Sequence, residues 1–494
     1  MNPPPSTGLA PGDFRQIASN GWDDSFNAYA YSMAWFDDSL FVGNSRGNLV
    51  MIHRHHPEWM RVWPVRTPKD FHDFDFRAQI WRYQPRADHW QRVYQSPWVE
   101  GRDAKRVPRD IGYRSMTLFK PAREQREALY AAAFSTASSG RPPRILRCRN
   151  GVDFETLSTT GSDPTLNTYR ILQVFDGRLY TSPTGRTGGE ANTSGSAVVL
   201  ETADPASEPW RPVSDLGFGD PGNQTLFEMA SFNDHLYVGT NNPLTGFQIW
   251  KTPGGRKPWR WHRVIKDGAY RGNLNEIAIS MCEFKGSLYI GTAIQNGGYD
   301  HTHKVGPAAP ELVRINRDDS WDLIVGTARM TPAGWKSPLS GWGPGFNNPF
   351  NGYFWRMAVH HDSLYLGTYK WAIMLPWLKT DKWSNSFKWA LHRHGSIDKL
   401  AYSAGGFDLF RSADGVDWKP ITRDGFNNPY NFGVRTLQST PCGLFVGTAN
   451  PFGPDVAVRE GEHWRYRPNR KGGLEIWLGS KAQGNPLVRR QGRA

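Results

Sequence analysis

One short phrase recurs along the chain and limits its possible folds more than any other feature. It joins an aromatic residue, a polar turn and a Leu-aromatic-small-Gly-Thr run, as in Phe232-Asn-Asp-His-Leu236-Tyr-Val-Gly-Thr240. Clear copies also begin at Phe36, Phe175, Phe284, His360 and Thr440, and a weaker one lies at Ala128-Leu-Tyr-Ala131. Recurrence at roughly fifty to ninety residues predicts a repeat architecture in which each copy forms one supersecondary unit.

Each copy predicts a β-hairpin, because alternating residues lead to a Gly, Asp or Asn turn and then alternate again. An apolar anchor lies seven residues before the leucine in most copies, as Met229 does before Leu236. Six residues before the anchor stands a polar residue, namely Asn27, Asp110, Asn223, Asn275, Asn351 or Asn431. Because Asn and Asp bond backbone groups in turns, this position is expected to be a structural device first.

A second hairpin follows each copy, with an apolar-Trp pair in one strand and Trp-x-x-Val/Ile in the next. Ile249-Trp250 followed by Trp261-His-Arg-Val264 is an example. Four strands in each of seven copies predict an all-β chain, a single domain over residues 1–494 folded as a seven-bladed β-propeller with four-stranded antiparallel blades. We expect these blades near residues 27–95, 110–158, 166–215, 223–266, 275–326, 351–423 and 431–480.

The last copy lacks a fourth strand after Leu474-Glu-Ile-Trp477. At the other end of the chain, Phe14-Arg-Gln-Ile17 resembles the fourth strand Trp418-Lys-Pro-Ile421. We therefore expect residues 14–21 to supply the outer strand of the last blade. A ring closed in this way has no open sheet edges.

The stretch Ser412-Ala-Asp414-Gly415-Val-Asp-Trp418 resembles the Asp-box turn of bacterial-type, sialidase-like (BNR-like) propellers. Cys148-Arg-Asn150-Gly151-Val-Asp-Phe154 resembles a degenerate copy. The resemblance implies a turn between the third and fourth strands of a blade that serves folding, away from catalysis. This box is one residue shorter than in that family and most blades lack it, so the resemblance carries over no sialidase activity.

Charge and composition narrow the choice of partners. The net charge is +13 and the pI about 9.6, a balance that suits anionic partners. Lys and Arg are scattered without a run of five or six, so we expect no nucleic-acid partner. No stretch is apolar over about 18 residues and the N-terminus carries no signal-peptide pattern, so we expect no membrane partner and a cytoplasmic location.

The three cysteines show no zinc or disulfide pattern: Cys148, Cys282 and Cys442.

Long loops are expected on one face of the ring, over residues 44–76, 293–310, 369–406 and 449–473, with a connection over 327–348. Such loops on a rigid scaffold usually carry function. Four arginines near the starts of the first strands could converge on a carboxylate or phosphate; the alternative is that each packs between blades or pairs with a local acid. The predicted substrate-binding residues are Arg114, Arg170, Arg356, Arg435, Trp355, Asn275, Asn351 and Asn431.

Acid-base chemistry requires a desolvated carboxylate or phenol within reach of the substrate. We predict Glu276, Asp300 and Tyr353 as catalytic residues, and consider Asp110 and Glu228 as further carboxylates. Glu228 could instead face a blade interface where an arginine neutralises it. His301 and His303, next to Asp300, could form a facial metal site, although loop histidines are usually solvated; the sequence permits a metal without requiring one.

Three functions remain open at this point. The first is an enzyme, of the lyase, isomerase/cyclase or hydrolase type, acting on a small anionic or aromatic metabolite over the central channel. The second is a protein-interaction scaffold, and the third a sialidase-like glycoside hydrolase, which requires an arginine cluster beside a Tyr–Glu pair such as Tyr353 with Glu276. Long, unequal loops rich in Trp, Tyr and Arg favour the small-molecule ligand pocket.

Overall fold

The structure is a computed structural model that describes residues 8–135, 137–157, 166–186, 195, 197–255, 259–379, 383, 389, 393 and 396–481. These residues are mostly β, with helices at Asn48–His55 and Ile397–Ser403. The 3-10 segments are Pro11–Asp13, Pro57–Trp59, Phe71–Asp73, Ala137–Ser139, Leu216–Gly219, Gly272–Asn275 and Ala372–Trp377. Among the described residues, no helix has both the length and the apolar character needed to cross a bilayer.

The strands pair along the chain into four-stranded antiparallel units, each with an inner hairpin followed by an outer one. Unit 1 comprises Asn27–Phe36, Ser39–Arg46, Gln79–Gln84 and His89–Gln95. Unit 2 comprises Asp110–Phe119, Ala128–Ser135, Ile145–Cys148 and Phe154–Leu157. Unit 3 comprises Gln173–Phe175, Arg178–Thr181, Leu200–Thr202 and Arg211–Pro212, with Leu166–Tyr169 and Pro183–Arg186 paired beside them.

The later units repeat this arrangement. Unit 4 comprises Thr225–Phe232, His235–Asn241, Ile249–Thr252 and His262–Ile265. Unit 5 comprises Ile277–Phe284, Ser287–Ala293, Leu312–Ile315 and Trp321–Val325. Unit 6 comprises Asn351–His360, Ser363–Lys370, Leu409–Ser412 and Trp418–Thr422. Small hairpins in the connections are Trp98–Glu100 with Arg106–Pro108, Arg329–Thr331 with Gly334–Lys336, and Asp455–Glu460 with His463–Pro468.

The last unit is assembled from both ends of the described chain. Gly433–Thr440, Gly443–Ala449 and Ile476–Gly479 pair in order. Phe14–Ala18 then pairs antiparallel with Ile476–Gly479, with Gln16 opposite Trp477. The pairing predicted for the N-terminal segment is therefore present.

The recurring Leu-aromatic pair forms the core of each unit. The second strand of a unit has a neighbour on both edges and packs on both faces, so successive residues are apolar instead of alternating. All of these side chains are at most 1% exposed: Leu40, Phe41, Leu129, Tyr130, Leu179, Tyr180, Leu236, Tyr237, Leu288, Tyr289, Leu364, Tyr365, Leu444 and Phe445.

The recurring glycine marks the place where two units meet. A Cβ on Gly367 of unit 6 would lie 2.3 Å from Cβ of Val434 in the last unit. A Cβ on Gly447 of the last unit would lie 2.6 Å from Cβ of Ala30 in unit 1. Since real Cβ atoms do not approach so closely, only glycine permits this spacing between neighbouring inner hairpins.

The recurring asparagine and threonine hold the same junction with hydrogen bonds. In unit 6, Asn351 Nδ2 donates to Gly345 O and to Asp408 Oδ2, both at 2.9 Å. The backbone N of Asp408 donates to Oγ1 of Thr368, the threonine of the repeat. Gly345 carries a positive φ of 64°, which lets its carbonyl face the asparagine. Equivalent triplets are Asn275, Glu311 and Thr292, and Asn431, Glu475 and Thr448.

The turn that resembles an Asp-box joins the third and fourth strands of unit 6. Asp414 Oδ1 accepts from the backbone N of Val416 and Asp417, both at 2.8 Å. Ser412 Oγ accepts from Gly415 N at 2.8 Å. The side chain of Trp418 is buried behind this turn, so the motif holds the outer hairpin together.

We expect deletion of residues 1–21 to destabilise the protein severely. The deletion removes the strand paired with Ile476–Gly479 and exposes the edge of the last unit, which also favours association between chains. We expect the free energy of unfolding to fall by more than about 3 kcal/mol, as for other large losses of core structure. Urea unfolding and light scattering measure both effects. A chain lacking only residues 1–7 is the reference, and equal unfolding midpoints for the two chains would contradict the prediction.

Candidate functional site

A β-bulge interrupts the first strand of the regular units at one equivalent position. In unit 1 the register skips from Ala30 to Ser32, so Tyr31 lies outside the ladder. The residues skipped in units 2, 4, 5, 6 and the last unit are Arg114, Phe227, Ile279, Trp355 and Arg435. In unit 3, Arg170 takes this place in the break between Leu166–Tyr169 and Gln173–Phe175. Bulges redirect side chains and occur often beside functional sites.

The bulge side chains from different units contact one another. The guanidinium carbon of Arg435 lies 4.5 Å from the ring centroid of Tyr31 and 5.4 Å from that of Trp355. Arg114 lies 5.9 Å from the Tyr31 ring, and Arg170 lies 3.1 Å from the Phe227 ring. We call the set the bulge ring: Tyr31, Arg114, Arg170, Phe227, Ile279, Trp355 and Arg435.

The position after the bulge departs from the repeat in units 3, 4 and 6, which carry Ile171, Glu228 and Arg356. In the other units a small hydroxyl links neighbours, as when Ser32 Oγ donates to Tyr113 O at 2.6 Å and Ser280 Oγ to Phe354 O at 2.7 Å. Arg356 Nη1 of unit 6 lies 2.7 Å from Glu228 Oε2 of unit 4. An arginine therefore pairs with Glu228, one of the two roles that the sequence left open for this carboxylate.

Positive charge is concentrated in and beside the bulge ring. Arg114, Arg170, Arg356 and Arg435 contribute four guanidinium groups, and the carboxylate of Glu228 pairs with Arg356. Burial lowers the pKa of Arg435 to about 9, and repulsion from Arg356 and Arg114 adds to the effect. Burial, followed by Arg114 and Arg435, also lowers the pKa of Arg170 well below its usual range. Burial and the neighbouring guanidinium groups therefore disfavour the charged forms of Arg435 and Arg170.

Arg435 has unused hydrogen-bonding capacity. Its side chain is 3% exposed, and within the part of the chain that the structure describes, its Nε and Nη1 atoms have no hydrogen-bond acceptor. A buried donor without an acceptor is costly, typically by about 1–3 kcal/mol. An anionic ligand would supply the missing acceptor.

Tyr31 is the bulge-ring residue most suited to proton transfer. Burial alone would raise the pKa of its phenol, but the guanidinium groups of Arg114, Arg435 and Arg170 outweigh burial and bring the pKa below the ordinary value. A tyrosine that ionises more readily than usual can act as a general base.

The long loops meet one another and form a cap over the start of the inner strands. Trp59 from unit 1 stacks on His301 from unit 5 with ring centroids 4.5 Å apart. Met60 pairs with Leu378, and Val65 with Val456, in isolated bridges. We call residues 48–76, 299–305, 372–378 and 452–466 the cap. One apolar cluster joins most of the cap to Tyr29, Tyr353 and Trp355 of the inner strands, so the cap lies next to the bulge ring.

The predicted catalytic residues lie close together but form a loop scaffold. Gln295 N donates to Glu276 Oε2 at 3.4 Å, and Gln295 Nε2 donates to Asp300 Oδ2 at 2.9 Å. Asp300 Oδ1 accepts from the backbone N of Thr302 and His303. Burial would raise the pKa of Asp300, but hydrogen bonds led by that from Gln295 bring it below the usual value. Asp300 is thus a charged acceptor that organises the loop.

Tyr353 and Glu276 approach each other, as the sialidase-like hypothesis required. However, burial raises the pKa of Tyr353, and the carboxylate of Glu276 raises it further. Its hydroxyl also accepts a hydrogen bond from Gly297 N at 2.5 Å. Burial and the Glu276 carboxylate thus disfavour the phenolate form of Tyr353.

His301 and His303, the predicted metal ligands, have different partners in the structure. His303 Nδ1 lies 2.6 Å from Asp300 Oδ2, whereas the His301 ring is stacked on Trp59. Nowhere in the described ranges do three or more His, Cys, Asp or Glu side chains gather in a way that could hold a metal ion. The two imidazoles instead fix the loop and its contact with the cap.

The structure gives Asn275, Asn351 and Asn431 a scaffold role in place of the predicted substrate contact. All three are fully buried, and their amide groups donate within the junction between units. Asp110 occupies the same position in unit 2 and is buried against Arg144, with Nη2 and Oδ2 2.5 Å apart. These polar groups form hydrogen bonds and an ion pair that stabilise the junctions between units.

Sequence reasoning named all four arginines and Trp355 of this candidate site but did not name Tyr31, Phe227 or Ile279. The sequence does contain a pattern that marks these three residues, because each lies two residues before its apolar anchor, Met33, Met229 or Met281. The spacing alone gives no reason for those side chains to turn inward. That reason is the bulge, which depends on pairing across the hairpin.

Comparisons with known proteins leave the chain without an assigned family. No family model matches it, and no curated protein sequence matches it. Among solved structures, it is similar to a Mycobacterium tuberculosis puromycin-hydrolyzing peptidase at 12% identity and a TM-score of 0.45, over 93% of this chain and 55% of that one. The chain thus spans little more than half the length of the peptidase.

Two glycoside hydrolases are also similar. A Penicillium chrysogenum alpha-L-arabinanase matches at 10% identity and a TM-score of 0.37, over 70% of this chain and 89% of that one. A GH43 beta-xylosidase/alpha-arabinofuranosidase from a compost microbial metagenome matches at 12% identity and a TM-score of 0.29, over 66% and 96%. All three TM-scores lie below 0.5.

We expect Asn275→Ala to weaken the fold and to leave the bulge ring unchanged. The substitution removes the hydrogen bonds that Asn275 Nδ2 donates to Gly268 O and Glu311 Oε2, which should lower the free energy of unfolding by about 1–3 kcal/mol. Urea unfolding measures the loss, with the half-exposed Asn316→Ala as control. If the Asn275→Ala variant were as stable as the wild type and its anion binding were altered, Asn275 would belong to a ligand site and not to the scaffold.

We expect Tyr31 to ionise below the ordinary tyrosine pKa of about 10. Because the folded value lies below the unfolded one, Tyr31 contributes stability that is fully present above the unfolded pKa and is lost as pH falls through the folded pKa. Tyrosinate absorbance during a pH titration should show an early transition that Tyr31→Phe lacks. Tyr353→Phe should retain that transition, and identical curves for Tyr31→Phe and the wild type would refute the expectation.

Proposed function

We propose that the units form one domain, a seven-bladed β-propeller closed by Phe14–Ala18 as the outer strand of the last blade. The pairing of Phe14–Ala18 with Ile476–Gly479 supports this closure. Tyr29 of unit 1 also pairs with Ala449 of the last unit, as Tyr369 of unit 6 pairs with Gly433. The hydrogen bonds of the Asp414 turn support the resemblance to an Asp-box.

Within this ring, we propose that the protein binds a small organic anion at the bulge ring. The observation that carries the proposal is the buried side chain of Arg435, 3% exposed, whose Nε and Nη1 atoms have no acceptor in the described part of the chain. Bringing guanidinium groups close together costs free energy, because they repel one another. The donors of Arg435 that lack an acceptor indicate that binding an anion could offset this cost. A bound carboxylate or phosphate would offset the repulsion and satisfy those donors.

A site of this kind lowers the stability of the ligand-free protein and favours binding of an anion. The wild-type protein without ligand holds buried charges that repel one another, so removing one of them should relieve the strain. We therefore expect Arg435→Met, which keeps most of the side-chain volume, to raise the free energy of unfolding by on the order of 1 kcal/mol. Urea unfolding of the ligand-free proteins provides this measurement.

The same variant tests binding. Carboxylates and phosphates that bind the folded protein raise the unfolding midpoint in proportion to saturation. We expect members of a panel of small carboxylates and phosphates to raise the midpoint of the wild type and to lose this effect with Arg435→Met. The control is Arg263→Met, whose arginine lies 5.6 Å from Trp250 away from the ring. A less stable Arg435→Met that keeps the anion effect would overturn the proposal.

A further inference from the structure

A second group of arginines lines a surface cleft beside unit 2. The cleft has a volume of about 360 Å³, and Arg109, Arg141 and Arg144 all contribute to its wall. We infer that this cleft binds the phosphate monoester group of a small molecule through these three arginines. The inference goes beyond the proposed anion site, because none of the three arginines belongs to the bulge ring.

The cleft forms where two connections of unit 2 meet. The small hairpin that follows unit 1 leads directly into Arg109, whose backbone N donates to Pro97 O at 2.9 Å. Arg141 and Arg144 lie in the connection that precedes the third strand of unit 2. The fold therefore brings arginines from two separate connections to one cleft.

The junction of unit 2 departs from the repeat by exchanging its polar residues. In units 5, 6 and the last unit, an asparagine begins the unit and a carboxylate stands just before the third strand, namely Glu311, Asp408 or Glu475. Unit 2 carries Asp110 at the first position and Arg144 at the second, and Arg144 Nη2 lies 2.5 Å from Asp110 Oδ2. The exchange keeps the junction bonded and puts a guanidinium where those other units have a carboxylate.

The arginines of the cleft carry more positive charge than Asp110 balances. Arg109 Nη1 lies 3.6 Å from Asp110 Oδ1, and Arg144 pairs with the same carboxylate more closely. Arg141 is exposed, and no carboxylate among the described residues lies within ion-pair distance of its guanidinium. Burial lowers the pKa of Arg109, and repulsion from Arg144 and Arg141 adds to the effect although Asp110 opposes it. Three guanidinium groups thus share one carboxylate, which leaves two positive charges unbalanced.

Two of the three guanidinium groups are held in place by the protein. Arg109 Nη1 donates to Ser135 Oγ and its Nη2 donates to Pro142 O, both at 2.7 Å. Arg144 Nη1 donates to Thr156 Oγ1 at 2.7 Å. Arg109 and Arg144 are each 8% exposed although both line the cleft, so their side chains form its inner wall. A ligand would therefore meet cationic groups that are already positioned, which reduces the entropy lost on binding.

A phosphate monoester matches the charge and the size of this cleft. Its charge near pH 7 is about −1.5 to −2, which balances the two positive charges, whereas a carboxylate balances one. Guanidinium groups bind phosphate oxygens through paired N–H donors. The volume of about 360 Å³ lies within the range of roughly 300–1,000 Å³ that small-molecule sites have. The cleft thus has room for an organic group beside the phosphate, next to Pro97, Val99 and Pro142.

The first test is isothermal titration calorimetry of the full chain with glycerol 3-phosphate, dimethyl phosphate and glycerol. The titrations are made at low ionic strength, because salt screens exposed charges. We expect glycerol 3-phosphate, a monoester, to bind at least about tenfold more tightly than dimethyl phosphate, which carries a single charge. Glycerol should show no binding. Equal affinities for glycerol 3-phosphate and dimethyl phosphate would overturn the inference.

Arg141 provides the variant that tests the cleft without disturbing the fold, because its guanidinium makes no hydrogen bond or ion pair with the described residues. We expect Arg141→Gln to weaken glycerol 3-phosphate binding about tenfold and Arg141→Lys to retain part of the affinity. The matched control is Arg149→Gln, since Arg149 belongs to the same unit and pairs with Glu124 and Glu155 outside the cleft. Equal affinities of Arg141→Gln and Arg149→Gln would overturn the inference.

Hydrogen-exchange mass spectrometry of the wild type separates the cleft from the bulge ring. We expect saturating glycerol 3-phosphate to slow amide exchange in residues 97–109 and 139–144, and Arg141→Gln to remove that protection at the same concentration. Protection confined to residues 27–36 and 433–440 would support the bulge ring as the anion site and overturn the inference for the cleft. Protection of the cleft that persists in Arg435→Met would support the inference independently of the proposed function.

Discussion

The close contact between the second strand of one unit and the first strand of the next underlies the rest of this structure. Gly367 and Gly447 allow the contact, since any Cβ there would overlap Val434 or Ala30 of the following unit. The buried asparagines then connect the turn before each unit to the start of its third strand. Packing and hydrogen bonds act on the same junction, which explains why Asn, Gly and Thr recur together in the sequence.

The functional site arises where the units depart from the repeat. Regular units link through small hydroxyls such as Ser32 and Ser280, while units 4 and 6 use Glu228 and Arg356 in their place. One position earlier, the bulge turns a side chain out of each ladder, and there the residues differ most between units. The scaffold therefore sets where the side chains meet, and the variation between copies sets the chemistry found there.

The electrostatics of the bulge ring differ from those of the unit junctions. Burial lowers the pKa of Arg435 and Arg170, so the folded protein holds these charges at a cost. Tyr31 shows the opposite response, because the same guanidinium groups favour its anion. Negative charge is therefore favoured at this position, which is the physical basis of the proposed anion site.

Periodicity and repeated residues were enough to predict the all-β class, the hairpins of the repeated units and the pairing of Phe14–Ala18 with Ile476–Gly479. They also put the four arginines near the strand starts. The folded chain alone reveals that Asn275, Asn351 and Asn431 donate within unit junctions, that His301 and His303 have different partners, and that Tyr31 contacts the arginines. Spacing along the chain indicates which residues share a strand, whereas burial and the approach of other units determine what each side chain contacts.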